Sequence, residues 1–80
     1  MDVSDYVISV SKHFALGWMR KWDYDKYALR KALEEAYKVD QVGKNKYEVY
    51  TRIKGKGRKL ILVKDDENKE IFIITGAEGK

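Results

Sequence analysis

Apolar and polar positions form three distinct runs in the C-terminal half of the chain, and each run predicts a β-strand. Residues 47–53 alternate apolar and polar side chains, a period of two that is typical of a half-buried strand. Residues 59–64 and 70–75 carry continuous apolar runs, which indicate strands covered at least partly on both faces. Turn-forming residues separate the runs, so together they predict an antiparallel three-stranded meander.

The residues before the meander predict one short strand and two helices. Residues 5–11 are rich in β-branched side chains, so we expect the first strand there. Phe14, Trp18 and Trp22 recur four positions apart, which indicates a helix with an aromatic face. Gly17 lies inside this helix and suggests either a close approach of backbone to the sheet or a kink. The second helix is predicted by apolar residues at helical spacing: Leu29, Ala32, Leu33, Ala36 and Tyr37.

These elements predict a single α+β domain over residues 1–80. Their order is β-α-α-β-β-β, and we expect an antiparallel sheet that ends in the meander. Both helices should pack on one face of this sheet. The continuous apolar runs leave room for a partner on the other face.

Composition narrows the possible chemistry. The chain has 80 residues and no cysteine, so it can form neither disulfides nor thiolate metal sites. One histidine and scattered acids predict no metal site and no cofactor, and no P-loop spacing is present. The acidic start and short apolar runs predict no export signal and no membrane span. We therefore expect a cytoplasmic protein.

The net charge of +4 is unevenly distributed and is concentrated in residues 43–59. This segment has seven cations and one acid, whereas the rest of the chain is slightly acidic. Such a basic strip attracts polyanions, so nucleic acid is the leading class of partner. The alternative is a hairpin kept in solution by lysines that also protect an edge strand from aggregation.

One face of the predicted strand 47–53 is the better candidate for contacting nucleic acid. Alternation places Tyr50 and Arg52 together there, where a tyrosine can stack on a base and an arginine can bind a phosphate. Trp18 and Trp22 are interpreted as core residues, because aromatic residues at helical spacing usually pack inside a small domain. The predicted nucleic-acid contacts are Lys44, Lys46, Tyr50, Arg52, Lys54, Lys56, Arg58 and Lys59.

Two further features concern His13 and the glycines of the basic hairpin. His13 is the only histidine, and near neutral pH it could transfer a proton if it lies beside the basic strip. A lone histidine is more often a surface or capping residue, and we favour that interpretation of His13. Gly55 and Gly57 predict a hairpin turn with positive φ at both positions.

The hairpin and last strand resemble those of RelE/ParE-like toxins. The segment 52–62 has their arginine, hydrophobic, glycine, arginine order, followed by an acidic turn and the apolar run 70–74. Ser11-Lys12-His13, followed by Arg20-Lys21, looks like the opening of small uncharacterised relatives of these toxins. The resemblance implies two helices packed on an antiparallel sheet.

The resemblance also implies a function. Members of this superfamily cleave messenger RNA on the ribosome or inhibit gyrase, and antitoxin proteins neutralise them. It implies that Arg52 and Arg58, with Lys54 and Lys56 between them, lie around the scissile phosphate. We hypothesise a metal-independent endoribonuclease in which the two arginines stabilise the transition state and His13 acts as the base if the fold brings it close. An acidic antitoxin-like protein would then be a second partner besides RNA. The alternative is a non-catalytic module that binds nucleic acid or protein on the same fold.

Overall fold

The chain forms a five-stranded sheet with two helices on one face in the computed structural model, which describes residues 1–78. Helix α1 covers residues 12–22 and helix α2 covers Lys26–Glu34. The strands are β1 (Val7–Val10), β2 (Lys38–Gln41), β3 (Lys46–Ile53), β4 (Lys56–Asp65) and β5 (Glu70–Glu78). They lie in the order β1-β5-β4-β3-β2. The predicted α+β class, the two helices and the C-terminal meander are confirmed.

Two strands differ from the predicted sheet. β1 is parallel to β5, with Val7 opposite Glu70, so the prediction of a wholly antiparallel sheet is wrong at this edge. A parallel pair requires a long crossover, which the intervening elements supply. β2 is an additional edge strand, antiparallel to β3, and the patterns described above do not predict it. Its four residues include a single apolar side chain, Val39, so its hydrophobic signal is weak.

The core lies between the helices and one face of the sheet. α1 supplies Phe14 and Trp22, whose rings meet edge to face with centroids 5.9 Å apart, as the core interpretation of Trp22 requires. The buried Thr51 donates its hydroxyl hydrogen bond to the Ala32 carbonyl of α2 at 2.7 Å, which ties β3 to that helix. Neither helix within residues 1–78 is long and apolar enough to cross a membrane.

Helix α1 is interrupted by a π-helical turn at Ala15–Met19. Gly17 lies within this turn, but a Cβ atom at this position would meet no heavy atom within 4 Å. The expectation of a close approach at Gly17 is therefore wrong, and the glycine coincides with a local irregularity of the helix. The close approach is made at Gly76 of β5, where the aromatic rings of α1 pack directly against the strand.

The turn between β4 and β5 is tied to the N-terminal segment through Asp66. The Tyr6 hydroxyl donates a hydrogen bond to Asp66 Oδ1 at 2.5 Å, and Lys64 Nζ lies 3.1 Å from the same oxygen. The hydrogen bond from Tyr6, followed by the interaction with Lys64, lowers the pKa of Asp66 below the ordinary aspartate value. Tyr6 is buried, so this contact joins the turn to the core.

The lowered pKa of Asp66 predicts a pH-dependent contribution to stability. A carboxyl group with a lower pKa in the folded state stabilises the fold above its unfolded pKa of about 3.9, and the contribution disappears as pH falls through the folded pKa. We expect Asp66→Asn to lower the melting temperature at pH 7, and the difference from wild type to disappear near pH 2. Glu67→Gln, in the same turn, is the control and should change little. A difference independent of pH would contradict the prediction.

Candidate nucleic-acid interface

The sheet face opposite the helices is not covered by any other element of residues 1–78, and we call it the open face. Val49, Thr51 and Ile53 of β3 are buried toward the helices. Because strand side chains alternate, the other residues of β3 lie on the open face. These residues are Lys46, Glu48, Tyr50 and Arg52. The prediction that Tyr50 and Arg52 share one face of a strand is confirmed.

Tyr50 lies at the centre of a charged group that we call the Tyr50 cluster, formed by Lys38, Glu48, Tyr50 and Lys59. Pairing between strands places Lys38 on one side of Tyr50 and Lys59 on the other. Their Nζ atoms are 5.1 and 5.9 Å from the centre of the tyrosine ring. The Tyr50 hydroxyl donates to Glu48 Oε1 at 3.3 Å, and Lys59 Nζ lies 4.0 Å from the same oxygen. The aromatic ring is therefore held between two cations.

Strands β1, β4 and β5 make the remainder of the open face apolar. Val7 and Phe72 have 65% and 42% of their surface exposed. Ile61 and Val63 of β4 lie on the same face and are half-buried. The open face thus combines a basic, aromatic half, formed by β2, β3 and Lys59 of β4, with a more apolar half on β1, β5 and the rest of β4. This combination suits a ligand with both charged and flat apolar groups.

The basic hairpin turns at Lys54 and Gly55, which have φ values of 53° and 80°. Two consecutive positive φ values are typical of the tight two-residue turn that matches the twist of the flanking strands. Gly57 does not have a positive φ and lies in β4 opposite Arg52, so the predicted turn role of Gly57 is wrong. Lys54 Nζ lies 3.6 Å from Asp23 Oδ2, and Lys56 is exposed at the tip of the hairpin.

Arg58 lies on the covered face of the sheet. In β4 it pairs with Thr51, whereas Arg52 pairs with Gly57, so the two arginines point to opposite faces. The Arg58 guanidinium lies 4.9 Å from the centre of the Trp22 ring and forms an ion pair with Glu78. Its side chain is only 11% exposed. The resemblance to RelE/ParE-like toxins implies that these two arginines surround one phosphate, but their side chains lie on opposite faces of the sheet.

His13 is exposed in the first turn of α1. Arg58 packs on Trp22 at the other end of this helix. A helix rises about 1.5 Å per residue, so nine residues separate His13 from that ring by roughly 13 Å. The position of His13 along α1 thus separates it from the ring on which Arg58 packs, and its catalytic role stays a prediction. Of the other predicted contacts, Lys46 and Lys59 lie on the open face, and Lys44 lies in the loop before β3.

Lys38 is a residue of this interface that the sequence patterns do not predict. It belongs to β2, and its side chain reaches the Tyr50 ring and lies 3.5 Å from Asp40 Oδ2. A signal was available, since Tyr37 and Val39 alternate with Lys38 and Asp40. Such alternation over four residues is weak when it directly follows a strong helical pattern.

No protein-family model matches this chain, and no curated protein or solved structure matches it either. The resemblance to RelE/ParE-like toxins rests on sequence motifs alone, those of the hairpin, the last strand and the opening at Ser11-Lys12-His13. The structure confirms the α+β fold class, with two helices on a five-stranded mixed sheet.

Proposed function

We propose that this protein is a non-catalytic RNA-binding module, with the open face as its binding surface. The observation that carries the proposal is the Tyr50 cluster, in which an aromatic side chain on an uncovered sheet lies between two lysines. Single-stranded nucleic acid is bound by this combination of stacking surfaces and cations. Lys46 and Arg52, on the same strand as Tyr50, extend the cationic surface in both directions along β3.

Each group of the interface has a chemical role in this proposal. Two lysines lie over the ring of Tyr50, so one of them must turn to a phosphate before the ring stacks on a base. Such stacking contacts are worth about 1–3 kcal/mol each. Lys38 and Lys59 bind the phosphates on either side of the stacked base, and Arg52 can bind another phosphate through two hydrogen bonds. Phe72, exposed on the apolar half, provides a second aromatic surface. Binding of this kind tolerates many sequences and depends strongly on salt concentration.

Binding without cleavage is favoured by where the candidate catalytic residues lie. Metal-independent cleavage of RNA needs a base, an acid and cations gathered around one phosphate. The Cα atoms of His13 and Trp22 are separated by roughly 13 Å along the axis of α1, and the Arg58 guanidinium is engaged by Trp22 and Glu78. The toxin resemblance is compatible with RNA binding on the sheet, and an acidic antitoxin-like partner would compete for the same cations.

Binding of a fluorescent single-stranded RNA oligomer, measured over a range of salt concentrations, tests the proposal. We expect Tyr50→Ala to weaken binding about tenfold, since one base loses its stacking partner. Lys38→Gln with Lys59→Gln should reduce the slope of log affinity against log salt by about 1–2, because two phosphate contacts are lost.

Two variants on α2 serve as matched controls. Tyr27 is 77% exposed, and Lys26 is exposed at the start of the same helix. Tyr27→Ala and Lys26→Gln should therefore bind RNA as wild type does. Affinity that is unchanged in Tyr50→Ala, or equally reduced in Tyr27→Ala, would refute the open face as the RNA site. Cleavage of the oligomer by the wild-type protein would refute the non-catalytic part.

A further inference from the structure

A cleft of about 270 Å³ lies between α2 and the end of β3. Here β2 has ended, so residues 51–53 pair with β4 on one side and have no neighbouring strand on the other. Its polar lining consists of Tyr24, Lys31, Glu35, Arg52 and Lys54, and two alanines of α2 complete it. The volume is slightly below the roughly 300–1,000 Å³ of pockets that hold drug-sized ligands, so the cleft suits a compact group.

The charges of the cleft favour an anion. Three cations face a single carboxylate, that of Glu35. Among the described residues, Lys31 and Arg52 belong to no ion pair. Lys54 is paired with Asp23, but both side chains are well exposed, so exchanging this partner for another anion costs little. A bound anion would therefore gain Lys31, which has no ion pair within residues 1–78, and Lys54, whose exposed pair is easily exchanged. It would also gain Arg52, whose guanidinium otherwise lies 5.9 Å from the centre of the Tyr37 ring.

Tyr24 adds a neutral hydrogen-bond donor to these cations. A tyrosine hydroxyl keeps its proton at neutral pH, and burial raises the pKa of Tyr24 further above the ordinary value. The Tyr24 ring also lies 5.9 Å from Lys54 Nζ. A terminal phosphate has a charge of about −1.5 to −2 at pH 7 and three oxygens that accept hydrogen bonds, so it matches this donor set.

Arg52 connects the cleft to the open face. It belongs to the open-face set of β3 by alternation, and its side chain also lines the cleft. A strand of RNA that crosses the Tyr50 cluster and continues along β3 arrives at this residue. We propose that the cleft binds the terminal phosphate of the RNA strand bound on the open face, an inference that rests on the proposed function. The module would thus prefer strand ends that bear a phosphate.

The test compares RNA oligomers of one sequence that end in a 5′-phosphate, a 3′-phosphate or hydroxyl groups only. We expect one of the two phosphorylated oligomers to bind wild type about fivefold more tightly than the hydroxyl-ended oligomer. Lys31→Gln should remove most of this gain, and Lys26→Gln, on the same helix but outside the cleft, should retain it. Inorganic phosphate should reduce the gain by competing for the cleft.

The outcomes separate this inference from the proposed function. Equal affinity for all three oligomers, with Tyr50→Ala still weakening each of them, would overturn the cleft as a phosphate site and leave the open face as the RNA site. A gain that persists in Lys31→Gln would likewise overturn the assignment to the cleft. If no oligomer binds with salt-dependent affinity, the proposed function fails, and the inference fails with it.

Discussion

Replacing Gly76 with alanine is expected to lower the free energy of unfolding by about 2–3 kcal/mol, the upper part of the range for overpacked cores. A Cβ atom at this position would lie 2.7 Å from Cη2 of Trp22, 3.0 Å from Cε1 of Phe14 and 3.3 Å from Cγ of Trp18. These rings pack against one another, with the Trp18 and Trp22 centroids 5.2 Å apart. None can move away from the new methyl group without displacing another.

Thermal or denaturant unfolding measures this effect. In a domain of this size, a change of 1 kcal/mol shifts the melting temperature by about 4–8 °C, so a drop of roughly 10–20 °C is expected. Gly17→Ala is the matched control, because a Cβ atom there meets nothing within 4 Å. It should be neutral or stabilising by up to about 1 kcal/mol, as alanine favours helix over glycine. Equal stability of Gly76→Ala and wild type would contradict the prediction, because it would show that the three aromatic rings rearrange around the methyl group at little cost.

Arg58→Ala is expected to lower the free energy of unfolding by about 2 kcal/mol, through lost packing and the lost cation–π contact with Trp22. The Glu78 side chain is half-exposed, so the ion pair itself contributes the smaller part. Arg58→Met keeps much of the apolar stem and should recover part of the loss. Denaturant unfolding of the three proteins measures the order of stability.

Arg52→Ala is the control for this prediction, because Arg52 is exposed and has no ion pair among residues 1–78. Its stability should stay within about 0.5 kcal/mol of wild type, while its RNA affinity falls. The expected results divide the two arginines of the hairpin motif, with Arg58 stabilising the fold and Arg52 contributing to the proposed RNA binding. Wild-type stability in Arg58→Ala, together with lost RNA binding, would reverse this division.

The sequence predicts the helices and strands that have strong hydrophobic periodicity. It does not predict features that depend on which strands pair in the folded sheet. The four-residue spacing from Phe14 to Trp22 gives α1, and the apolar runs give β4 and β5. The orientation of β1 could not be predicted from its sequence, because an edge strand needs similar side chains whether its neighbour is parallel or antiparallel. β2 is stabilised by backbone pairing with β3 more than by apolar burial, so its pattern is faint.

The candidate site could be predicted only where a local sequence pattern determines the position of a residue. Alternation along one strand is a local property, and it correctly places Tyr50 and Arg52 together. The faces of residues on two different strands depend on the register between them, which the turn sets. Both Gly55 and Gly57 could supply a turn, and only the structure shows that the turn is at Lys54 and Gly55. That register is what sends Arg58 to the covered face.

The parallel pairing of β1 with β5 has a consequence for synthesis of the chain. Val7 pairs with Glu70, so the partner of the first strand is translated 63 residues later. At typical rates of about 5–20 residues per second, β1 waits roughly 3–13 s for the strand that holds it. During that interval Ile8 and Val10 have no sheet to join, and β3 and β4 can already form their hairpin. β1 therefore cannot take its place in the sheet until β5 has been synthesised.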